Sequence, residues 1–192
     1  MTSGVVTRRL AVIGRLDTGQ RVTFNRMGVA LDGVRALVWE RFCGAKTAHL
    51  SRREVRDRLM AQRCADGFAV PQRLWRATVE DTVDKIGAGQ QAELSGAVQR
   101  KIYVRAGDDE QERKRLLRLA KCSGWLRDAW LARQCRKVFA GKRPKPKRSG
   151  RIVADNLSDD VQRDTTGRVW LAVMTAVRGQ RLRLNLGTLP NL

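Results

Sequence analysis

Four aspartates, Asp155, Asp159, Asp160 and Asp164, fall within "ADNLSDDVQRD", and another, Asp17, follows the run "LAVIGRL" in "DTG". Carboxylates grouped in this way could hold a cation, and a strand-borne Asp could serve a metal-dependent nuclease. Such a nuclease needs two or three carboxylates converging on metal ions about 4 Å apart, which one D-x-G does not supply. The aspartate group lacks the full acidic-Gly-Glu pattern of a calcium loop, so it reads as a polar loop between strands. "DTG" reads as a hairpin turn, from the turn preference of Asp and Gly.

Other reactive types are sparse. His49 is the single histidine and has no evident Ser, Cys or acidic partner. "GAGQQ" lacks the Lys-Ser/Thr ending of a phosphate loop. Cys43, Cys64, Cys122 and Cys135 are 21, 58 and 13 positions apart with no C-x-x-C, which argues against zinc and disulfides and for small apolar packing residues. The expectation is a chain without catalytic residues, metal or cofactor of its own.

The abundant chemistry is cationic. The formal charge is +20, and between Ala106 and Arg151 there are 15 bases against 5 acids. From Arg136 to Arg151, eight of sixteen residues are Lys or Arg. Arg133, Arg136 and Lys137 fall three and four residues apart, as bases on one helical face do. Pro144 and Pro146 would hold Lys142, Arg143, Lys145, Lys147, Arg148 and Arg151 in an extended track. Such a track suits a nucleic-acid backbone, because its bases can meet successive phosphates. Trp125 and Trp130 flank Arg127 beside it and are candidates for base stacking, whereas Trp39 and Trp75 lie in apolar stripes and read as core. No apolar run approaches the roughly 18 to 20 residues of a spanning helix, and the N-terminus does not read as a signal peptide, so the expected setting is cytoplasmic, without a membrane partner.

These residues need elements to position them. Residues 7–25 read as a β-hairpin, alternating through Leu10, Val12, Val22 and Phe24. From Val29 the spacing of Leu31, Val34, Val38 and Phe42 predicts a helix. "SRRE" announces a second, with Ser51 and Glu54 as a capping box ahead of Val55 and Leu59. Pro71 suits the first turn of a third, striped by Trp75, Val79, Val83 and Ile86, with a break expected near 87–97 at "GAGQQ" and "SGA". Residues 108–141 read as two helices split at Ser123-Gly124, with Asp108, Asp109 and Glu110 at the favourable end of the dipole. "GRVWLAVMTAVRGQRLRLNLG" reads as two strands joined by "VRGQ", the second placing Arg181, Arg183 and Asn185 opposite Leu182, Leu184 and Leu186. The fold class expected is α+β, a small antiparallel, OB-like β-barrel interrupted by a helical insertion.

This order of elements, with "FAGKRPKPKRSGRIVADN" and "RGQRLRLNL", resembles the N-terminal half of TnpB-like, OrfB-type transposon proteins and the related type V CRISPR effectors, which are RNA-guided DNA nucleases. Asn185 stands where that family often has proline. The resemblance implies a wedge β-barrel over 1–26 and 150–192, a helical recognition lobe over 27–141 and a basic connector over 142–149. It implies guide RNA and target DNA as partners, with Arg178, Arg181 and Arg183 joining the basic track in contacting them. In the family the RuvC-like carboxylates and a zinc-binding insert follow the wedge barrel, whereas this chain stops at Leu192. The expectation is therefore a binding module without the cutting half, which a separate RuvC-type chain or a second copy would complement. Two rivals are a DNA-binding regulator with a helix-turn-helix around residues 51–86, and a structural subunit of a ribonucleoprotein.

Overall fold

The computed structural model describes residues 16–121, 123–141, 152 and 159–188. The first helix, α1 (Thr18–Phe42), begins where a hairpin turn is expected. The Asp17 carboxylate accepts from the Gln20 amide at 2.7 Å, and the Gln20 side chain accepts from the Asp17 amide at 3.2 Å. That reciprocal cap starts a helix. Strand-like alternation at Val22 and Phe24 yields to a three-and-four spacing, Phe24, Met27, Leu31, Val34, Val38, whose last four members are buried. Residues 18–25 are therefore helical, and the other half of the expected hairpin lies outside the described residues.

Helix α2 (Arg52–Ala61) carries the expected Ser51–Glu54 capping box and buries Val55 and Leu59. Pro71 is the N-cap of α3 (Gln72–Ala97), one residue ahead of its expected place. No break occurs at Gly87 and Gly89; the helix runs on to Ala97, the far edge of the range where a break is expected, and gives way only at Val98. Gly87 and Gly89 face open space on the exposed side, while Ile86 and Leu94 are buried. Each glycine costs about 1 kcal/mol of helix propensity, and burial of the opposite stripe outweighs it. The chain stays helical into α4 (Gln99–Ala106), pivoting at the buried Val98 and ending at Gly107, whose φ of 52° suits glycine. Asp109 caps α5 (Glu110–Ala120), whose first turn holds Glu110 and Glu112. A 3₁₀ turn at Ser123–Arg127 separates it from α6 (Ala129–Gly141), as the Ser123-Gly124 split anticipates.

The strands β1 (Asp159–Arg163), β2 (Arg168–Met174) and β3 (Arg181–Thr188) form an antiparallel meander in the order β1-β2-β3. Gln162 pairs with Trp170, and Leu171 with Leu184. Residues 159–163 are thus a strand, not the loop that their polarity suggests. The sheet is open and three-stranded among the described residues, and the expected closed barrel is not seen; part of its N-terminal hairpin has become α1.

Three apolar clusters hold the chain together, and α3 enters all of them. Leu74 joins Met27 and Leu31 of α1 beneath Val173 and Leu184 of the sheet. Trp75, Val79 and Ile86 meet Val34, Val38 and the α2 residues Val55 and Leu59. Leu94 enters a third cluster with Ile102, Leu116, Leu131 and Cys135. Truncating Leu184 to Ala, which opens the sheet's seat on α1 and α3, is expected to cost about 2–5 kcal/mol in urea unfolding, against less than about 0.5 kcal/mol for Val161→Ala on the exposed side of β1. Equal effects would contradict this docking.

Candidate nucleic-acid interface

On β3 the alternation holds: Leu182, Leu184 and Leu186 are buried, while Arg181 and Arg183 are exposed. The Arg183 guanidinium lies over the Trp170 ring, 5.7 Å from its centroid, and donates to Gln162 Oε1 at 3.2 Å. Trp170 Nε1 in turn donates to Asp164 Oδ2 at 2.9 Å. Asp164 also accepts from the Thr166 hydroxyl at 2.7 Å and from the amides of Thr166 and Arg168 at 2.9 and 3.0 Å. The Thr166 hydroxyl, then the Trp170 indole, hold its carboxyl well below the usual Asp range. Asp164 is therefore occupied in closing the β1–β2 turn and fixing the aromatic seat of Arg183. Among the described residues no group of three His, Cys, Asp or Glu side chains could hold a metal ion, and Asp155 lies outside them. Arg178 is exposed in the β2–β3 turn.

The helical bases form a second patch. Asp128 starts α6 by accepting from the Leu131 amide at 2.9 Å, the main reason its carboxyl sits below the usual range. The apolar stripe Leu131, Cys135 and Phe139 then faces the third cluster, where burial pushes the Cys135 thiol up to about 11. That leaves Arg133, Arg136 and Lys137 exposed, as their spacing predicts. Helix α4 runs antiparallel beside α6: Lys101 Nζ donates to Gln134 Oε1 at 3.0 Å, and the Arg105 guanidinium sits 4.8 Å from the Trp130 ring centroid. Arg100, Lys101, Val104 and Arg105 of α4 and Trp130 and Gln134 of α6 line the groove between them. On the other flank of α6, Arg136 and Phe139 face Lys46 and the turn after α1 across a separate cleft.

The two stacking candidates part company here. Trp125 is 3% exposed and packs on Phe139 with ring centroids 5.7 Å apart, so it is core and unavailable to a base. Trp130 is half-buried at the groove wall. Arg100, Lys101 and Arg105 were not singled out from the sequence; the visible signal is "QRKIYVRA", three bases around Tyr103 on one short helix. Lys142, Arg143, Lys145, Lys147, Arg148 and Arg151 lie outside the described residues. The sequence groups α6 and β3 as one surface. The structure sets them at opposite ends of α3, since Leu74 packs with the sheet and Leu94 with α4 and α6, about 30 Å apart at 1.5 Å per helical residue.

The acids are concentrated elsewhere. Glu80 and Asp84 of α3 accept from Arg56 and Arg52 of α2 at 2.9 and 3.3 Å, and Asp81 pairs with Lys85. Arg115 bridges Glu112 and Asp128 at 2.6 and 2.9 Å. Arg133, Arg136, Lys137, Arg178 and Arg183 make no ion pair among the described residues. The α2–α3 pair is joined by residues 62–71, long for a helix-turn-helix, and α3 carries acids toward α2's arginines, which suits a recognition helix poorly. His49 is exposed in the α1–α2 turn. No helix among the described residues is long and apolar enough to cross a membrane.

No family model, curated protein or solved structure matches this chain.

Because the folded pKa of Asp164 is lowered, its network contributes fully above the ordinary value of 3.8, and that contribution is lost as pH falls below 3.8 toward the folded value. Thermal unfolding is expected to show Asp164→Asn less stable than wild type at neutral pH, with the gap closing as pH drops through that range. A gap independent of pH would contradict the network.

Proposed function

We propose that this chain is a nucleic-acid-binding module that holds structured RNA, together with target-adjacent DNA, for a TnpB-like RNA-guided nuclease whose cutting residues lie outside this sequence. The observation that carries this reading is the sorting of charge. Carboxylates are drawn into pairs at the α2–α3 seam and at the α5–α6 corner, while Arg133, Arg136 and Lys137 of α6 and Arg178 and Arg183 of the β2–β3 hairpin stand exposed with no ion pair among the described residues. Unpaired surface cations at a net charge of +20 repel one another, and a polyphosphate relieves that repulsion.

The separation of the two patches bears on the ligand. Leu74 and Leu94, beside which the two patches are seated, lie about 30 Å apart, about nine steps of a stacked strand at 3.4 Å, so a strand or one side of a short duplex of that length or more suffices to reach both ends of α3. Exposed guanidinium and ammonium groups on a sheet and a helix flank suit recognition of backbone and shape, as a guide-RNA holder requires.

Fluorescence anisotropy with labelled single-stranded RNA tests this. If the six bases Arg133, Arg136, Lys137, Arg178, Arg181 and Arg183 each meet a phosphate, affinity falls with salt at a log–log slope of roughly −4, and the triple change Arg133→Ala, Arg136→Ala, Lys137→Ala makes that slope shallower by about 2. Affinity also rises with strand length until about nine nucleotides are reached. A flat salt response, or binding to RNA no tighter than to a neutral polymer, would overturn the reading.

A further inference from the structure

The groove between α4 and α6 combines an aromatic wall with a pattern of donors. It encloses about 430 Å³, with the indole of Trp130 and the side chain of Val104, which is 85% exposed, as its apolar parts. The Arg105 guanidinium lies over that indole, its central carbon 4.8 Å from the ring centroid. A flat cation seated on an aromatic ring presents its other face to a further flat ring, and guanidinium planes and indoles are the surfaces on which unpaired bases stack.

The polar groups at the groove are nearly all donors. Arg100, Lys101 and Arg105 carry only N–H groups, as does the Trp130 indole. The one side-chain acceptor in the lining is Gln134 Oε1, and it already takes the Lys101 ammonium at 3.0 Å, which leaves the Gln134 amide N–H groups as donors. The backbone carbonyls of Arg100, Lys101, Trp130 and Gln134 lie far enough from the helix ends to be used by the helices themselves, which leaves only those of Val104 and Arg105, in the last turn of α4, as backbone acceptors of the lining. A base whose exposed edge offers acceptors satisfies this lining. A base with an amino group on that edge places donor against donor.

From this we infer that the α4–α6 groove binds one unpaired guanine of a nucleic-acid strand, stacked on the Arg105–Trp130 pair and read through its O6 and N7 acceptors by the surrounding donors. Guanine carries both acceptors on one edge, adenine and cytosine present an amino group on the corresponding edge, and uracil shows only its O4 carbonyl there. The three bases lining the groove, with no acid among them, draw in the flanking phosphates. The inference rests on the nucleic-acid reading above and adds a base-specific site to it.

The test uses the full chain and labelled RNAs of about 12 nucleotides, cytidine throughout except for one central guanosine, adenosine or abasic residue. The guanosine RNA is expected to bind about 5- to 150-fold more tightly than the abasic one, with adenosine between them, and Trp130→Ala is expected to erase the advantage. Gln134→Glu, a change on the flank of a helix, supplies an acceptor without removing packing and is expected to narrow guanosine's lead over adenosine. Circular dichroism checks that both variants remain helical. Equal affinity for the three RNAs in the wild type, or a guanosine lead unchanged in both variants, overturns the guanine site and leaves phosphate-driven binding standing. Failure of all three RNAs to bind overturns the site and the nucleic-acid reading together.

Discussion

The structure depends on one helix being buried in three places along its length. Helix α3 gives Leu74 to the sheet, Trp75, Val79 and Ile86 to the packing of α1 and α2, and Leu94 to the cluster beneath α4, α5 and α6. Its 26 residues would reach about 39 Å, and a helix of that length with two exposed glycines is held by its apolar stripe more than by propensity. Because the sheet and the α4–α6 pair attach to its two ends, α3 sets the distance between the cationic surfaces.

That constraint also explains how a chain of such charge stays compact. Carboxylates are placed where they offset bases inside the fold: Glu80 and Asp84 opposite the α2 arginines, and Glu112 with Asp128 around Arg115. Exposed pairs of this kind are each worth at most about 1 kcal/mol, so their service is less to hold the fold than to relieve local repulsion beside the apolar seams. Among the bases outside these pairs are Arg100, Lys101 and Arg105 of α4, Arg133, Arg136 and Lys137 of α6, and Arg178 and Arg183 of the β2–β3 hairpin, beside others such as Arg21 and Arg26 of α1 and Arg58 of α2. Two of them, Arg105 and Arg183, lie over tryptophan rings, whose electron-rich faces attract the cations.

Local signals were legible in the sequence wherever one residue type does one physical task. The Ser51–Glu54 box, the Asp109 cap, the Ser123-Gly124 split and the in–out alternation of β3 all appear as their chemistry dictates. Asp17-Thr18-Gly19 misled because a short polar side chain before a glycine serves a turn and a helix cap alike; Gln20, three residues on from Asp17, decides for the cap. The glycines of "GAGQQ" suggested a break because propensity is local, whereas Leu94 anchors the helix from a distant cluster. Trp125 and Trp130 each precede a leucine and flank Arg127, and only tertiary packing buries the first against Phe139 and leaves the second beside Arg105. The groove itself joins residues some 30 positions apart, which no single-segment pattern reveals.

The account's central claim is that nucleic acid lies along the α4–α6 and β2–β3 surfaces at the two ends of α3. Ultraviolet crosslinking of bound RNA, followed by mass spectrometry of the conjugated peptides, reads those contacts residue by residue. Adducts gathered on α4, α6 and the β2–β3 hairpin are the predicted result. Adducts confined to the α2–α3 seam, or scattered without preference over the chain, would contradict it.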